Sequence, residues 1–236
     1  MPLAYIIFLI LLLTATYTSH KTGKLTLSGA ITGGVVALCI YMGIGFIGIA
    51  ILATFFVFAT IATSHKKNTK RNLGDGQHPE KRDARQVLAN GGLPAILGLL
   101  AFIIPDNVLL ATILMAAAFA SATADTLSSE LGTVYGKRFY NIITFKPDEK
   151  GRDGVISLEG ILIGIAGAAV IASVYAIGFG WNSMFLNIII AGTAGNIADS
   201  VLGATLERKG YMNNNEVNFL NTFIAVIVCC LLVYYN

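Results

Sequence analysis

Residues 25–63 read LTLSGAITGGVVALCIYMGIGFIGIAILATFFVFATIAT, without a single Asp, Glu, Lys, Arg or His. A helix needs about 20 predominantly apolar residues to cross about 30 Å of hydrocarbon. This run therefore holds two passes, 25–42 and 44–63, folded back on each other at 43–45. Working outward, further apolar runs lie at 2–17, 87–104, 108–124, 155–177, 183–206 and 217–235. They predict an all-α fold, a polytopic membrane helix bundle of about eight transmembrane helices, with seven to nine as the range. Residues 1–236 then form a single integral membrane domain.

Composition agrees. Hydrophobic residues make up 55% of the chain and charged ones 12%, and the mean hydropathy is +0.71, which excludes an ordinary water-soluble domain. The net charge of +3 comes from clustered loop residues, which speaks for membrane orientation and anionic ligands and against nucleic acid as a partner. Cys39, Cys229 and Cys230 lie inside apolar runs without metal-ligand spacing and read as small buried hydrophobes. No basic residue precedes the first run, so it reads as a retained span and not as a signal peptide.

All 16 Lys and Arg residues fall in four connections, 20–24, 64–85, 130–153 and 207–215, and none falls in 43–45, 105–107 or 178–182. By the positive-inside rule the basic connections face the cytoplasm, which makes 64–86 and 130–154 cytoplasmic loops and puts both termini outside. Trp181, Tyr234 and Tyr235 suit interfacial anchors. Gly29 with Gly33, and Gly160 with Gly164, are spaced for close helix packing. The loop 65–85, with Asn72, Gly74, Asp75, Gly76 and Pro79, reads as exposed, either a solvated connector or a lid.

The informative residues are those that should not be in a membrane. Asp125 ends the fifth run and Asp199 the seventh, and a carboxylate at membrane depth is costly unless paired, hydrated or bound to a cation. Two at one bilayer face point to a shared site. Gly192, Asn196, Asp199 and Gly203 form one helical stripe. Asp125 shares a face with Ser128 and Ser129, whereas Glu130 points away unless the helix breaks there. Asn218, Asn221 and Thr222 occupy one face of the last run, again at the basic end.

The fourth pass opens Arg85-Gln86-Val87-Leu88-Ala89-Asn90-Gly91-Gly92-Leu93-Pro94. Gly-Gly followed by Leu-Pro predicts a helix broken near Gly91–Pro94 and restarting within the membrane, its free N–H groups turned toward phosphate; for Asn90 an ordinary helix cap stands as the other reading. Arg85, Lys146 and Arg152 add cations. Carboxylates for a divalent cation, amides and a helix N-terminus for phosphate oxygens, and free cations meet the physical needs of phosphoryl transfer. Hard oxygen donors favour magnesium over zinc, and His20, His65 and His78 are separate loop residues without a catalytic role.

Four ordered blocks carry a family resemblance: Arg85 to Gly92; Ala124-Asp125-Thr126 with Ser128-Ser129-Glu130-Leu131-Gly132; Gly195-Asn196 with Asp199-Ser200 and Gly203-Ala204; and Val217-Asn218-Phe219 with Asn221-Thr222. They resemble the integral membrane family that includes the plant phytyl-phosphate kinase and transmembrane protein nineteen, domain of unknown function ninety-two. Between them, Gly151-Arg152-Asp153-Gly154-Val155-Ile156-Ser157 resembles the family's Gly-Thr-x-Gly-x-x-Ser segment, with Arg152 where Thr is usual. The resemblance implies a CTP-dependent kinase that converts an isoprenyl monophosphate to the diphosphate.

On that reading Asp125 and Asp199, with Glu130, would hold magnesium on the nucleotide. Arg85, Gln86, Asn90, Gly91 and Gly92 would cradle phosphate with Ser128, Ser129, Lys146, Arg152 and Ser157, and Asn196, Asn218 and Asn221 would orient phosphate or base. The partners are a nucleotide, a membrane isoprenoid phosphate and the bilayer, as monomer or oligomer. A lipid cytidylyltransferase, and a carrier or flippase of a phosphorylated lipid, stand as alternatives.

Overall fold

The computed structural model describes residues 3–66 and 81–235. Eight helices among them are long and apolar enough to cross a membrane. They are α1 (Leu3–Lys21), α2 (Leu27–Ile44), α3 (Phe46–Ser64), α4 (Ala84–Ile103), α5 (Val108–Tyr135), α6 (Leu158–Phe179), α7 (Ser183–Leu202) and α8 (Asn214–Tyr234). One two-stranded hairpin, β1 (Tyr140–Asn141) and β2 (Val155–Ile156), joins α5 to α6 in antiparallel register, Tyr140 opposite Ile156. The expected all-α polytopic bundle is therefore found. The 65–85 loop is described only at its two ends; Asn72, Gly74, Asp75, Gly76, His78 and Pro79 lie outside the described residues.

Helix α5 is the axis of the bundle. It is 78% buried, against 28–44% for α2, α3, α4, α6, α7 and α8 and 11% for α1. The cause is its sequence, Ala116-Ala117-Ala118-Phe119-Ala120-Ser121-Ala122-Thr123-Ala124, all fully buried. Side chains this small on every side let several backbones approach at once, which is how helices associate where lipid removes the hydrophobic drive. Around α5 the helices close a ring, each packed on the next: α6, α3, α2, α4, α8, α7 and α6 again. Helix α1 lies outside, on α2. Of the small-residue pairs, Gly160 and Gly164 meet α5 closely, at Gly132 and Ala124, and Gly29 admits the chain at Arg82, whereas Gly33 has only an ordinary contact with Leu25.

Two expectations are corrected. No break occurs near Gly91–Pro94: α4 runs continuously from Ala84 to Ile103 with Pro94 inside it. A break would leave backbone N–H and C=O groups without water at membrane depth, and the glycines serve packing instead. Gly91 faces Val36, and Gly98 lets Ile40 and Cys39 of α2 come within reach, since a Cβ there would lie 2.7 Å from the Ile40 Cα. Asn90 is not the cap; Asp83 is, in a reciprocal capping box with Gln86. Neither does α5 end at Asp125. It continues to Tyr135, so the non-helical part of the 130–154 connection starts at Gly136.

Helices α2, α4, α6 and α8 all begin at the face of the basic connections, capped by Thr26, Asp83, Ser157 and Asn213. Their positive dipole ends converge on this face.

Candidate active site

That face contains a cavity of about 2170 Å³. Its floor is a carboxyl pair. Asp125 on α5 and Asp199 on α7 face each other at hydrogen-bonding range. Asn221 on α8, fully buried, donates its Nδ2 to Asp199 Oδ1 at 2.8 Å, and Ser121 donates its hydroxyl to Asn221 Oδ1 at 3.1 Å. The amide can point only one way in this chain of bonds. Its N–H₂ is turned to the carboxylate and its oxygen to the hydroxyl.

Beyond Leu202 the seventh pass closes with a wide π-turn, Gly203–Glu207, in which the Arg208 N–H donates to the Gly203 carbonyl at 3.2 Å. Single π-turns within helices frequently lie at functional sites. Here the turn lines the cavity with both Gly203 and Glu207, and Glu207 lies near enough to act electrostatically on Asp125 and Asp199. The loop 151–154 lies directly on it. Gly154 has φ +68°, and a Cβ there would collide with Ala204 and the Ser200 carbonyl. Asp153 thus reaches the cavity beside Asp199.

A clasp fixes this loop. Arg208 pairs with Asp148 at 2.9 Å and donates Nε to the Asp153 carbonyl at 2.6 Å. The Glu149 N–H and the Arg208 side chain together hold the Asp148 carboxyl below the usual aspartate range.

The structure brings most of the expected residues together. Asp125, Glu130, Asp199, Arg85, Gln86, Asn90, Gly92, Ser128, Ser129, Arg152, Ser157, Asn196 and Asn218 all line the cavity. Three do not. Gly91 is buried against Val36, Lys146 is exposed in the hairpin loop, and Asn221 stands behind Asp199, where it holds the carboxylate. Gly192, the first residue of the expected stripe, packs on Ala120. Two lining groups are engaged within their own segments: Ser157 accepts the Gly160 N–H and Asn90 donates to the Gln86 carbonyl.

Among the described residues no three His, Cys, Asp or Glu side chains form a metal-binding group. The expected trio of Asp125, Glu130 and Asp199 is therefore a pair. Five residues along a helix is about 140° around it, so Glu130 turns from Asp199 and interacts with Arg82. Two carboxylates remain a fitting donor set for magnesium, which commonly takes one or two carboxylates and completes its shell with water and substrate phosphate.

Sequence reasoning missed Glu207, Asp153, Arg82, Lys24, Lys81 and the amides Asn213, Asn214 and Asn215, all cavity-lining. Glu207 was legible as a carboxylate soon after Asp199, but the π-turn that aims it was not.

The family model for integral membrane protein DUF92 matches residues 9–226. Uncharacterized membrane protein MJ0933 of Methanocaldococcus jannaschii is 33% identical over 88% of this chain and 85% of its own length. Protein VTE6, chloroplastic, of Arabidopsis thaliana is 27% identical over 88% of this chain and 65% of its own. Protein PGR of the same plant is 30% identical over 83% of this chain and 76% of its own. No solved structure matches the chain.

Proposed function

The chain belongs to the integral membrane protein DUF92 family, and we propose that it is a CTP-dependent kinase that phosphorylates an isoprenyl monophosphate to the diphosphate. One observation carries this reading, the two-natured wall of the cavity. Asp125 and Asp199 line it, and so do Leu88, Gly92 and Ile96 of α4, at i, i+4 and i+8. Leu88 and Ile96 are 49% and 51% exposed. From Ala84 to Ile96 this wall descends roughly 18 Å at 1.5 Å per residue. Such a cavity suits an amphiphile whose charged head meets the carboxyl pair and whose apolar chain lies along α4. A nucleotide reaches the same pair from water. The four family blocks supply the choice of CTP and isoprenoid.

In this mechanism Asp125 and Asp199 would hold magnesium, which would supply charge neutralisation on the transferring phosphoryl group. Asn221 fixes Asp199 in the ligating orientation. Gln86, Asn196 and Asn218 offer amides to phosphate oxygens, and Arg85 and Arg152 supply positive charge. An oxygen of the lipid monophosphate forms the new bond to the γ-phosphorus of CTP as the bond to the β,γ-bridging oxygen breaks, releasing CDP. Because a phosphate monoester is already nucleophilic once positioned, no strong general base is needed. The basic face, by this proposal, is cytoplasmic, with both termini on the opposite side.

The test incubates the full chain in lipid nanodiscs with magnesium, a prenyl monophosphate and each of the four nucleoside triphosphates in turn, and identifies products by mass. Prenyl diphosphate and CDP are expected. Pyrophosphate with a CDP-linked lipid would identify a cytidylyltransferase, and movement of the lipid across sealed vesicles without nucleotide consumption a carrier; either result overturns the kinase.

A further inference from the structure

The cavity also carries cations that, Arg85 apart, belong neither to the motif blocks nor to the carboxyl pair. Lys24, Lys81, Arg82 and Arg85 line the cavity, drawn from the α1–α2 connection and the start of α4. The backbone at Arg82 is fixed on both sides. Its N–H donates to the Lys24 carbonyl at 3.1 Å and its carbonyl accepts the Thr26 N–H at 3.0 Å, a short parallel bridge between Leu25 and Arg82. Gly29, without a side chain, leaves room for that carbonyl. The end of α3 joins the same knot, through Thr63 accepting from Arg82 Nη2 at 3.4 Å and Ser64 taking the Lys24 ammonium at 2.9 Å.

The α1–α2 connection thus fixes the Arg82 backbone and the end of α3 takes one bond from its guanidinium, in a cavity that Asp125 and Asp199 also line. Burial lowers the Arg82 pKa and the Glu130 carboxylate works against that lowering, so the cation is kept where desolvation alone would disfavour it. A guanidinium presents its N–H donors in a planar fork that matches phosphate oxygens, and it is less strongly hydrated than an ammonium, so it suits such a partly dry position.

We propose that Arg82, supported by Lys24 and Arg85, is a phosphate-binding residue of this cavity, contributed by the N-terminal part of the fold to the space that Asp125 and Asp199 also line. It rests on the reading that phosphorylated ligands occupy the cavity. The carboxyl pair repels the phosphates it must approach, and the cation wall offsets that repulsion and sets the direction of entry. Glu130 occupies the guanidinium electrostatically when phosphate is absent.

The test measures binding, not turnover, and so separates this proposal from the kinase reading. The full chain in nanodiscs is titrated calorimetrically with inorganic tripolyphosphate and, in a second arm, assayed for retention of a radiolabelled prenyl monophosphate. Arg82→Gln is expected to weaken one of the two on the order of tenfold or more. The arm affected tells whether Arg82 meets the soluble polyphosphate or the lipid head. Arg82→Lys, which keeps charge and fold but loses the planar fork, should fall between and carries the test if Arg82→Gln is not monodisperse. Glu130→Gln should bind at least as tightly as the parent, and Arg138→Gln, an exposed cation outside the cavity, should bind equally. Unchanged binding in both arms, no binding by the parent chain, or equal weakening by Arg82→Gln and Glu130→Gln would each overturn the proposal. Intact binding without prenyl diphosphate formation would instead count against the kinase reading alone.

Discussion

The sharpest consequence of the site concerns Asn221, which touches no open part of the cavity. Its Nδ2 meets Asp199 Oδ1 at 2.8 Å, and it is fully buried, so no bulk water competes for that bond. A hydrogen bond to a charged group contributes about 1.5–3 kcal/mol, and losing the donor leaves the buried carboxylate to bear that cost. If Asp199 must hold one orientation at the reacting phosphate, Asn221→Ala removes that much stabilisation from the transition state. At about 1.4 kcal/mol per factor of ten this is about a 10- to 150-fold fall in kcat. Ser121→Ala removes only a neutral bond to the far side of the amide, about 0.5–1.5 kcal/mol, and should cost no more than roughly tenfold. Turnover is followed in nanodiscs with CTP and prenyl monophosphate, per monodisperse protein, with the lipid KM measured alongside. The ordering Asn221→Ala, then Ser121→Ala, then the parent chain is expected, with KM for the lipid little changed. An Asn221→Ala protein that keeps kcat within threefold of the parent, or loses less than Ser121→Ala does, would refute the orienting role.

Three further outcomes follow. Asp125→Asn and Asp199→Asn should each lower turnover on the order of 10²-fold or more while the protein remains folded, and a chelator should stop the parent enzyme until magnesium is restored; near-normal turnover of either variant would remove that residue from the metal site. Gly154→Ala meets both a positive φ and a collision with Ala204, so about 1–3 kcal/mol of destabilisation is expected, read as faster amide exchange at 151–157 and earlier thermal unfolding. The Asp148 carboxyl is held low by the Glu149 N–H and Arg208, so its contribution is complete above the ordinary aspartate value of about 4 and is lost as pH falls through the depressed value. Amide protection in the hairpin, exchange corrected for its intrinsic pH dependence, should therefore be flat from neutral pH down to about 4 and fall below that, whereas in Asp148→Asn it should be reduced already at neutral pH.

How much of this could be read from the chain depends on which physical quantity decides each feature. Hydropathy counts how many side chains prefer lipid, and it finds the eight passes because lipid is the solvent for most of them. It does not say which pass is surrounded by protein. Helix α5 is as apolar as its neighbours, and what places it at the centre is size: the alanines from Ala116 to Ala124 let the surrounding helices approach it. Hydropathy also ends the fifth run at Ala124, where polar side chains begin, but backbone hydrogen bonding is indifferent to that change and carries the helix to Tyr135. Pro94 shows the opposite error. Local propensity argues for a break, and packing on α2 through Gly91 and Gly98 outweighs it.

The carboxylates divide along the same line. Asp125 and Asp199 were legible because a charge at membrane depth demands a reason wherever the fold puts it. Glu207 and Asp153 carry no such signal, since both lie in connections where charge is ordinary. Their place at the site is conferred by backbone geometry. A regular helix would leave Glu207 roughly 80° around the axis from Asp199; the π-turn at Gly203 advances the chain by less rotation per residue and returns it toward the same side. Asp153 arrives because Gly154 and Gly203 let the loop settle on that turn, and Arg208 binds the two together. The same few residues therefore set the acidity of the cavity and the fit of the loop over it. A change at Arg208 should disturb both at once, although Arg208 itself does not line the cavity.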